Sequence, residues 1–410
     1  MWYVMIFKIQ LDMKKIGFIL PALLSLALVC GSCTKPDAGA DNSQQVPPTS
    51  QDKEEEKPEP EQKPVPVLES LSTSFGNKAV YGEKLIIKGQ NFSDQASGNV
   101  LLFDDVSHTA FVEVGQTRLV AVIPENIRKE SVQVRVSTAA GTSEPLPLEF
   151  DLRRCDSTLV FKGAKVEDLR PGVKWISTIT QWQGEPRSIN IVTVPKSEIK
   201  NLHLTYPSGK VKTSEQCKSA DALVGINGQY FDNSSGGTGL ARDFLKIDGT
   251  VATQGADGRS STFASGAFVF TDGVADVIRV RQNEGARSLT DKNVMVCGPL
   301  LIENGKYTSL DLSTTHNTDT HPRTAVAVTE NGNVLLVTID GRFPGQAVGM
   351  PTPLMQEFFT LLGAKSVLNL DGGGSTTMYI KGKGMVNHGS DGSNWNNPTE
   401  RKVNSIIYLK

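Results

Sequence analysis

Hydrophobic and polar positions change rhythm along this chain. From Val67 to about Phe150 the apolar residues come in short runs bounded by turn residues. These are Lys84-Leu85-Ile86-Ile87-Lys88-Gly89, Asn99-Val100-Leu101-Leu102-Phe103, Leu119-Val120-Ala121-Val122-Ile123-Pro124 and, with a period of two, Val132-Gln133-Val134-Arg135-Val136. Side chains alternate between the faces of a strand, so this texture predicts an all-β sandwich of about 80 residues. Beyond residue 151 the runs lengthen. Asn333-Val334-Leu335-Leu336-Val337-Thr338-Ile339 and Ser366-Val367-Leu368-Asn369-Leu370 are almost unbroken, as strands buried on both faces are. Between them Thr352 can cap a helix with Pro353 at its first position. Leu354, Phe358, Leu361 and Leu362 recur at helical spacing, and Gly363 ends it. Strand, helix, strand predicts a parallel βαβ unit with a right-handed crossover, hence a C-terminal α/β (α+β) domain with a mixed sheet. Asp340 and Asp371 follow the C-terminal ends of the two runs. They are expected on one edge of one sheet, where clefts form in such arrangements.

The first 33 residues read as an address. Lys14 and Lys15 precede the apolar stretch Ile16 to Val29, which ends in Cys30-Gly31-Ser32-Cys33, the basic, apolar and small-residue order of an export signal. A cysteine after Gly-Ser resembles the bacterial lipobox. That resemblance implies cleavage before Cys33, acylation of its thiol, and a protein anchored by lipid in the bacterial cell envelope, periplasmic or at the surface. Residues 34–66 hold seven prolines and the run Glu54-Glu55-Glu56-Lys57-Pro58-Glu59-Pro60. Such a stretch buries too little apolar surface to offset its ordering entropy, so it is expected to be a disordered tether. The organisation read from the chain is therefore 1–33 signal, 34–66 linker, 67–150 sandwich and 151–410 C-terminal domain. Cys155, Cys217 and Cys297 allow at most one internal disulfide, and their separations match no zinc motif. With 42 Lys+Arg against 44 Asp+Glu the formal charge is −2, which argues against a nucleic-acid partner.

Candidate chemistry gathers in residues 151–410. The triplet Gly372-Gly373-Gly374 after Asp371 permits positive φ and close backbone approach, its amides can point at an anion, and Ser375 and Thr376 add hydroxyls. No Gly-Lys-Ser/Thr follows, so a nucleotide P-loop is set aside. Arg323, before the apolar strand Thr324 to Thr329, and Arg342, two residues past Asp340, are natural anion clamps because guanidinium matches phosphate with two parallel hydrogen bonds. His321 is a polar contact or proton-transfer candidate. Asn227 ends the apolar stretch Ala222 to Ile226 and can donate to a sugar hydroxyl or close an Asx turn. Tyr230 and Phe231 can stack on a sugar face or belong to the core. Asn233-Ser234-Ser235 is formally a glycosylation sequon without meaning for a bacterial lipoprotein. Gly-x-Ser-x-Gly is absent, which sets a serine hydrolase aside.

Two resemblances follow from these residues. Gly82-Glu83 before a strand, Gly89-Gln90-Asn91-Phe92 after it and the Ile123-Pro124 turn resemble the immunoglobulin-like TIG/IPT family, whose domains act as spacers or carbohydrate-presenting modules. The C-terminal domain resembles the phosphodiester glycosidase family. The resemblance rests on Leu169-Arg170-Pro171-Gly172-Val173, Cys297-Gly298-Pro299-Leu300-Leu301, His321-Pro322-Arg323-Thr324-Ala325 and Thr338-Ile339-Asp340-Gly341-Arg342. It continues through Asn369-Leu370-Asp371-Gly372-Gly373-Gly374-Ser375-Thr376-Thr377-Met378 and Glu400-Arg401-Lys402-Val403. Gln229-Tyr230 departs from the family's Gly-Phe, and Ser405 from its Ala. The resemblance implies hydrolysis of a GlcNAc-1-phosphodiester-like bond, no required cofactor, and Glu400 and Arg401 among the substrate-binding residues. Whether a metal ion binds is left open. Cleaving C1–O–P expels a phosphate monoester of pKa about 6, so cationic clamping can replace much of a general acid. Asp371 or Asp340 is then base or nucleophile, and the other orients the sugar. The competing reading is a non-catalytic glycan-binding surface lipoprotein.

Overall fold

The structure, a computed structural model, describes residues 63–73, 78–127, 129–232, 239–255, 263–392 and 394–410. The export signal, Cys33, the tether up to residue 62, the sequon at Asn233 and positions 236–238 lie outside the described residues. The elements that position the site are, in chain order, α1 (Leu152–Phe161), β1 (Glu185–Val194), α2 (Thr213–Ser219), β2 (Val224–Asn227), β3 (Arg323–Thr329), β4 (Val334–Ile339), α3 (Thr352–Leu361) and β5 (Ala364–Asn369).

Residues 67–149 form the expected sandwich. Strands 67–73, 84–90, 118–122 and 111–115 make one sheet; strands 106–108, 100–103, 131–138 and 141–142 make the other, with 146–149 also pairing 131–138. The alternate residues marked in the sequence, among them Leu85, Ile87, Leu101, Phe103, Val132, Val134 and Val136, meet in its core. α1 begins where the sandwich ends, capped by Asp151, whose carboxylate accepts from the Arg154 amide at 3.1 Å. Cys155 of α1 belongs to the sandwich core and Val160 to the core under the next sheet, so one helix fastens both. Cys155, Cys217 and Cys297 are all buried free thiols.

An eight-stranded sheet dominates the rest, in the order 165–170, 173–182, β1, β4, β3, β5, 300–303, 306–307. Its centre is covered on both sides, which explains the unbroken apolar runs. Val326, Val334, Leu336 and Leu368 face the core shared with two five-stranded sheets. Ala325, Leu335, Val337 and Val367 face α3, through Met355, Phe358 and Phe359. α3 starts one residue earlier than expected: Pro351 is its N-cap, and Thr352 hydrogen-bonds Asn317 instead of capping.

The parallel βαβ unit is not formed. β3 lies between β4 and β5 and is antiparallel to both. The physical reason is local. β3 and β4 are joined by a short turn in which Gly332 takes φ +76°, so pairing them as a hairpin costs less loop entropy than a crossover would. Two strands antiparallel to one neighbour run the same way. The ends of β4 and β5 therefore share an edge after all, with the start of β3 between them.

Candidate active site

Asp340 leaves the end of β4, Asp371 follows β5 after Leu370, and Arg323 opens β3 between them. Asn227, at the end of β2 in a neighbouring sheet, sews this edge together. Its amide donates to the Asp371 carbonyl at 2.6 Å, and its oxygen accepts from Thr324 Oγ1 at 2.7 Å and the Thr377 amide at 3.1 Å. Asn227 is fully buried, and these contacts tie it to the Asp371 loop.

The glycine triplet is required by crowding. A Cβ on Gly372 would sit 2.6 Å from the Pro322 carbonyl oxygen, and one on Gly374 would run into Asp391 and Arg401. Gly373 takes φ +60°. Of the three glycine amides expected to face an anion, that of Gly373 donates to Pro322 O at 2.9 Å and that of Gly372 to the Asp371 carboxyl; beyond them the Ser375 amide donates to Gly372 O and the Thr376 amide to Gly373 O, both at 3.2 Å. Ser375 and Thr376 themselves are buried. The loop thus works as a tightly folded holder for Asp371.

Asp371 is a strongly perturbed acid. Burial raises its carboxyl from 3.8 to about 6, against the opposing pull of the Ser375 hydroxyl, Arg401, the Gly372 amide and Arg242. An acid titrating near neutrality suits proton transfer. Asp340 is different. Its buried carboxylate accepts from Ser188 Oγ at 2.6 Å, Asn387 Nδ2 at 3.2 Å and the His388 amide at 2.9 Å, and lies 3.0 Å from His388 Nδ1. Those contacts leave it an orienting role, directed at a histidine that sequence reading missed. His388 lies in a loop with no periodicity and 48 positions from Asp340, so only the folded chain pairs them.

The cations divide in the same way. Arg342 is exposed, adopts φ +67° although not glycine, and lays its guanidinium 3.1–3.4 Å from where a Gly373 Cβ would be. Left-handed backbone is uncommon at a residue other than glycine, and no carboxylate pairs with Arg342 among the described residues. Arg323 is turned inward. Its Nε donates to Met350 O at 2.8 Å, and Nη2 to His316 O at 2.7 Å and Asp319 O at 3.1 Å. Burial lowers it to about 10, so it stays charged at neutral pH while bracing the loop before β3. His321, on that loop, is pushed down by burial and by Arg323 and Arg342, which favours the neutral ring. Arg401 pairs with Asp391 at 2.8 Å beside Gly374. Glu400 faces elsewhere: it accepts from the amide and hydroxyl of Ser214, at 2.7 and 2.6 Å, in the first turn of α2, a capping contact. Tyr230 is likewise locked, donating to Gly298 O and accepting from Asn369 Nδ2, each at 2.9 Å. Phe231 is core.

Replacing Arg342 by glycine is expected to leave thermal stability unchanged or slightly higher, since relief of the left-handed strain and the entropy of glycine nearly cancel at about 1 kcal/mol each. Binding of phosphate monoesters, measured by calorimetry, is expected to weaken about tenfold. The two departures from the family pattern touch one another: the buried backbone N–H of Gln229 donates to Ser405 Oγ at 3.2 Å. Ser405→Ala is therefore expected to lose about 1–2 kcal/mol in urea unfolding by orphaning that amide; an unchanged midpoint would show the contact to be idle.

Comparison with known proteins gives two family matches: phosphodiester glycosidase over residues 220–410 and IPT/TIG domain over residues 66–150. The chain is 28% identical over 156 residues to the SPbeta prophage-derived uncharacterized protein YomE of Bacillus subtilis (strain 168), a match covering 36% of this chain and 23% of that protein. Among solved structures, the zebrafish N-acetylglucosamine-1-phosphodiester alpha-N-acetylglucosaminidase catalytic domain, auto-inhibited by its pro-peptide, is similar with TM-score 0.48 at 18% identity, over 60% of this chain and 87% of that one. A hypothetical protein from Synechocystis is similar with TM-score 0.49 at 14% identity, over 84% and 81%.

Proposed function

We propose that this chain, which matches the phosphodiester glycosidase family over residues 220–410 and the IPT/TIG domain over residues 66–150, hydrolyses a GlcNAc-1-phosphodiester-like bond, releasing the sugar from a phosphate monoester on envelope or environmental glycans. One juxtaposition carries the reading: an acid titrating at about 6, Asp371, heads a glycine loop crossed by the guanidinium of Arg342, which pairs with no carboxylate among the described residues. In this reading Asp371 takes the proton of water as it attacks C1, or attacks C1 itself. The C1–O electron pair passes to the phosphate oxygen, where Arg342 meets the growing negative charge in the positive field of Arg323 and Arg401. Asp340 holds its neighbours in place, and His321, neutral, is the remaining proton acceptor at the edge. Anchoring through Cys33 and reach along 34–66 belong to the proposal and rest on the sequence.

The test is to incubate the protein with a GlcNAc-1-phosphodiester and with UDP-GlcNAc and to quantify released GlcNAc, with Asp371→Ala as control. Release by the wild type and none by the variant is expected. Tight glycan binding with no release from any diester would sink the enzymatic reading and leave the glycan-binding one.

A further inference from the structure

The buried Asp340 carboxylate has a purpose that the Asp371 reading does not use. Its Oδ2 lies 3.0 Å from His388 Nδ1 and its Oδ1 accepts from the His388 amide at 2.9 Å, so main chain and ring are gripped together. A carboxylate can only accept from Nδ1–H, which fixes the tautomer and makes Nε2 the outward nitrogen. The ring cannot turn away. It lies flat on Trp395, with centroids 3.5 Å apart and planes 7° apart, and meets Phe343 edge-on at 6.5 Å. Its side chain keeps 27% of its surface, and Nε2 has no protein partner among the described residues. The imidazole is also tied to the reacting edge from two sides. Phe343 adjoins Arg342, whose guanidinium covers Gly373, and Asn387 donates to Thr376 O at 3.0 Å.

We infer that His388 is a second catalytic residue: its Nε2 contacts a phosphate oxygen of the substrate and, in the doubly protonated ring, hands its proton to that oxygen as the C1–O bond breaks. Asp340 is its positioning residue. The step balances: water supplies hydroxyl to C1 and its proton to Asp371, the bonding pair goes to the bridging oxygen, and the Nε2 proton goes to the departing phosphate. Solvent then exchanges the protons back. The inference rests on the proposed function, so its test needs one readout with turnover and one without.

The turnover readout is kcat and KM for His388→Gln on a GlcNAc-1-phosphodiester. kcat is expected to fall about 100-fold with KM within about threefold and an unchanged melting temperature; a kcat within threefold of wild type overturns the inference. The second readout is nitrogen NMR of the labelled wild-type ring. It is expected to show Nδ1–H, with an Nε2 signal that moves on adding inorganic phosphate; Asp340→Asn should disturb the tautomer. An Nε2 signal indifferent to phosphate also overturns the inference. If Nε2 responds but the wild type releases sugar from no diester, the hydrolase reading and the proton hand-off fall together, and His388 stands only as a phosphate contact.

Discussion

Asp371→Asn is expected to abolish sugar release, by about 10²–10⁴-fold, and at the same time to make the protein more stable at pH 7. Burial lifts the Asp371 carboxyl from 3.8 to about 6, so the folded state prefers it protonated. The stability this preference gives is fully present below pH 3.8 and is lost as pH rises through about 6. At neutral pH the charge costs the folded state up to about 3 kcal/mol, from the shift at 1.36 kcal/mol per unit. A neutral amide of the same shape removes that cost. Urea unfolding should therefore show the variant ahead of wild type at pH 7, with the gap closing towards pH 4. Activity of the wild type should fall as pH drops below about 6, because the reacting carboxylate is then protonated. Equal stability of the two proteins at pH 7 would mean the carboxylate is already well solvated, and the argument for its reactivity would fail with it.

The strands that were legible were so because burial writes a period into the chain. Leu85, Ile87, Val132 and Val134 alternate, and Val334–Ile339 does not, because one sheet face of the sandwich meets solvent whereas β4 is covered twice. Strand partnership was not legible. A doubly buried run looks the same whether its neighbour is parallel or antiparallel, and the deciding feature was the short turn at Gly332, which makes β3 the partner of β4. The shared edge of Asp340 and Asp371 survived that change only because β5 also pairs with β3.

Motif residues posed a second problem. Arg323, Asn227, Tyr230 and Glu400 are polar residues in specific patterns, yet each hydrogen-bonds its own protein: carbonyls, the Asp371 loop, Gly298 and Ser214. Residue type and spacing cannot separate a guanidinium facing carbonyls from one facing solvent. The exposure of Arg342 and the inward hydrogen bonds of Arg323 separate the two only once the chain is folded. His388 lacked any local signal, since its partner Asp340 comes from a different strand end.

Asp340→Ala should shift stability in the opposite direction from Asp371→Asn. Its removal leaves Ser188 Oγ, Asn387 Nδ2 and both nitrogens of the His388 contact without their acceptor in a spot where Asp340 itself is 0% exposed. Orphaned buried donors cost about 1–3 kcal/mol each, and breaking a buried charged network about 3–5 kcal/mol in all. A loss of that size in urea unfolding is expected at pH 7. Asp340→Asn should lose less, because one oxygen remains to accept while its NH2 group opposes the donors on the other side. A loss below about 1 kcal/mol for the alanine variant would show that the loop carrying His388 is held by Trp395 and Phe343 alone. The contrast separates the two acids by physics: one is costly for the fold to keep charged, as a reacting group is, and the other is costly to remove, as a scaffold is. Opposite signs in the two unfolding measurements would therefore separate an acid that the fold keeps charged at a cost from one that the fold needs as an acceptor.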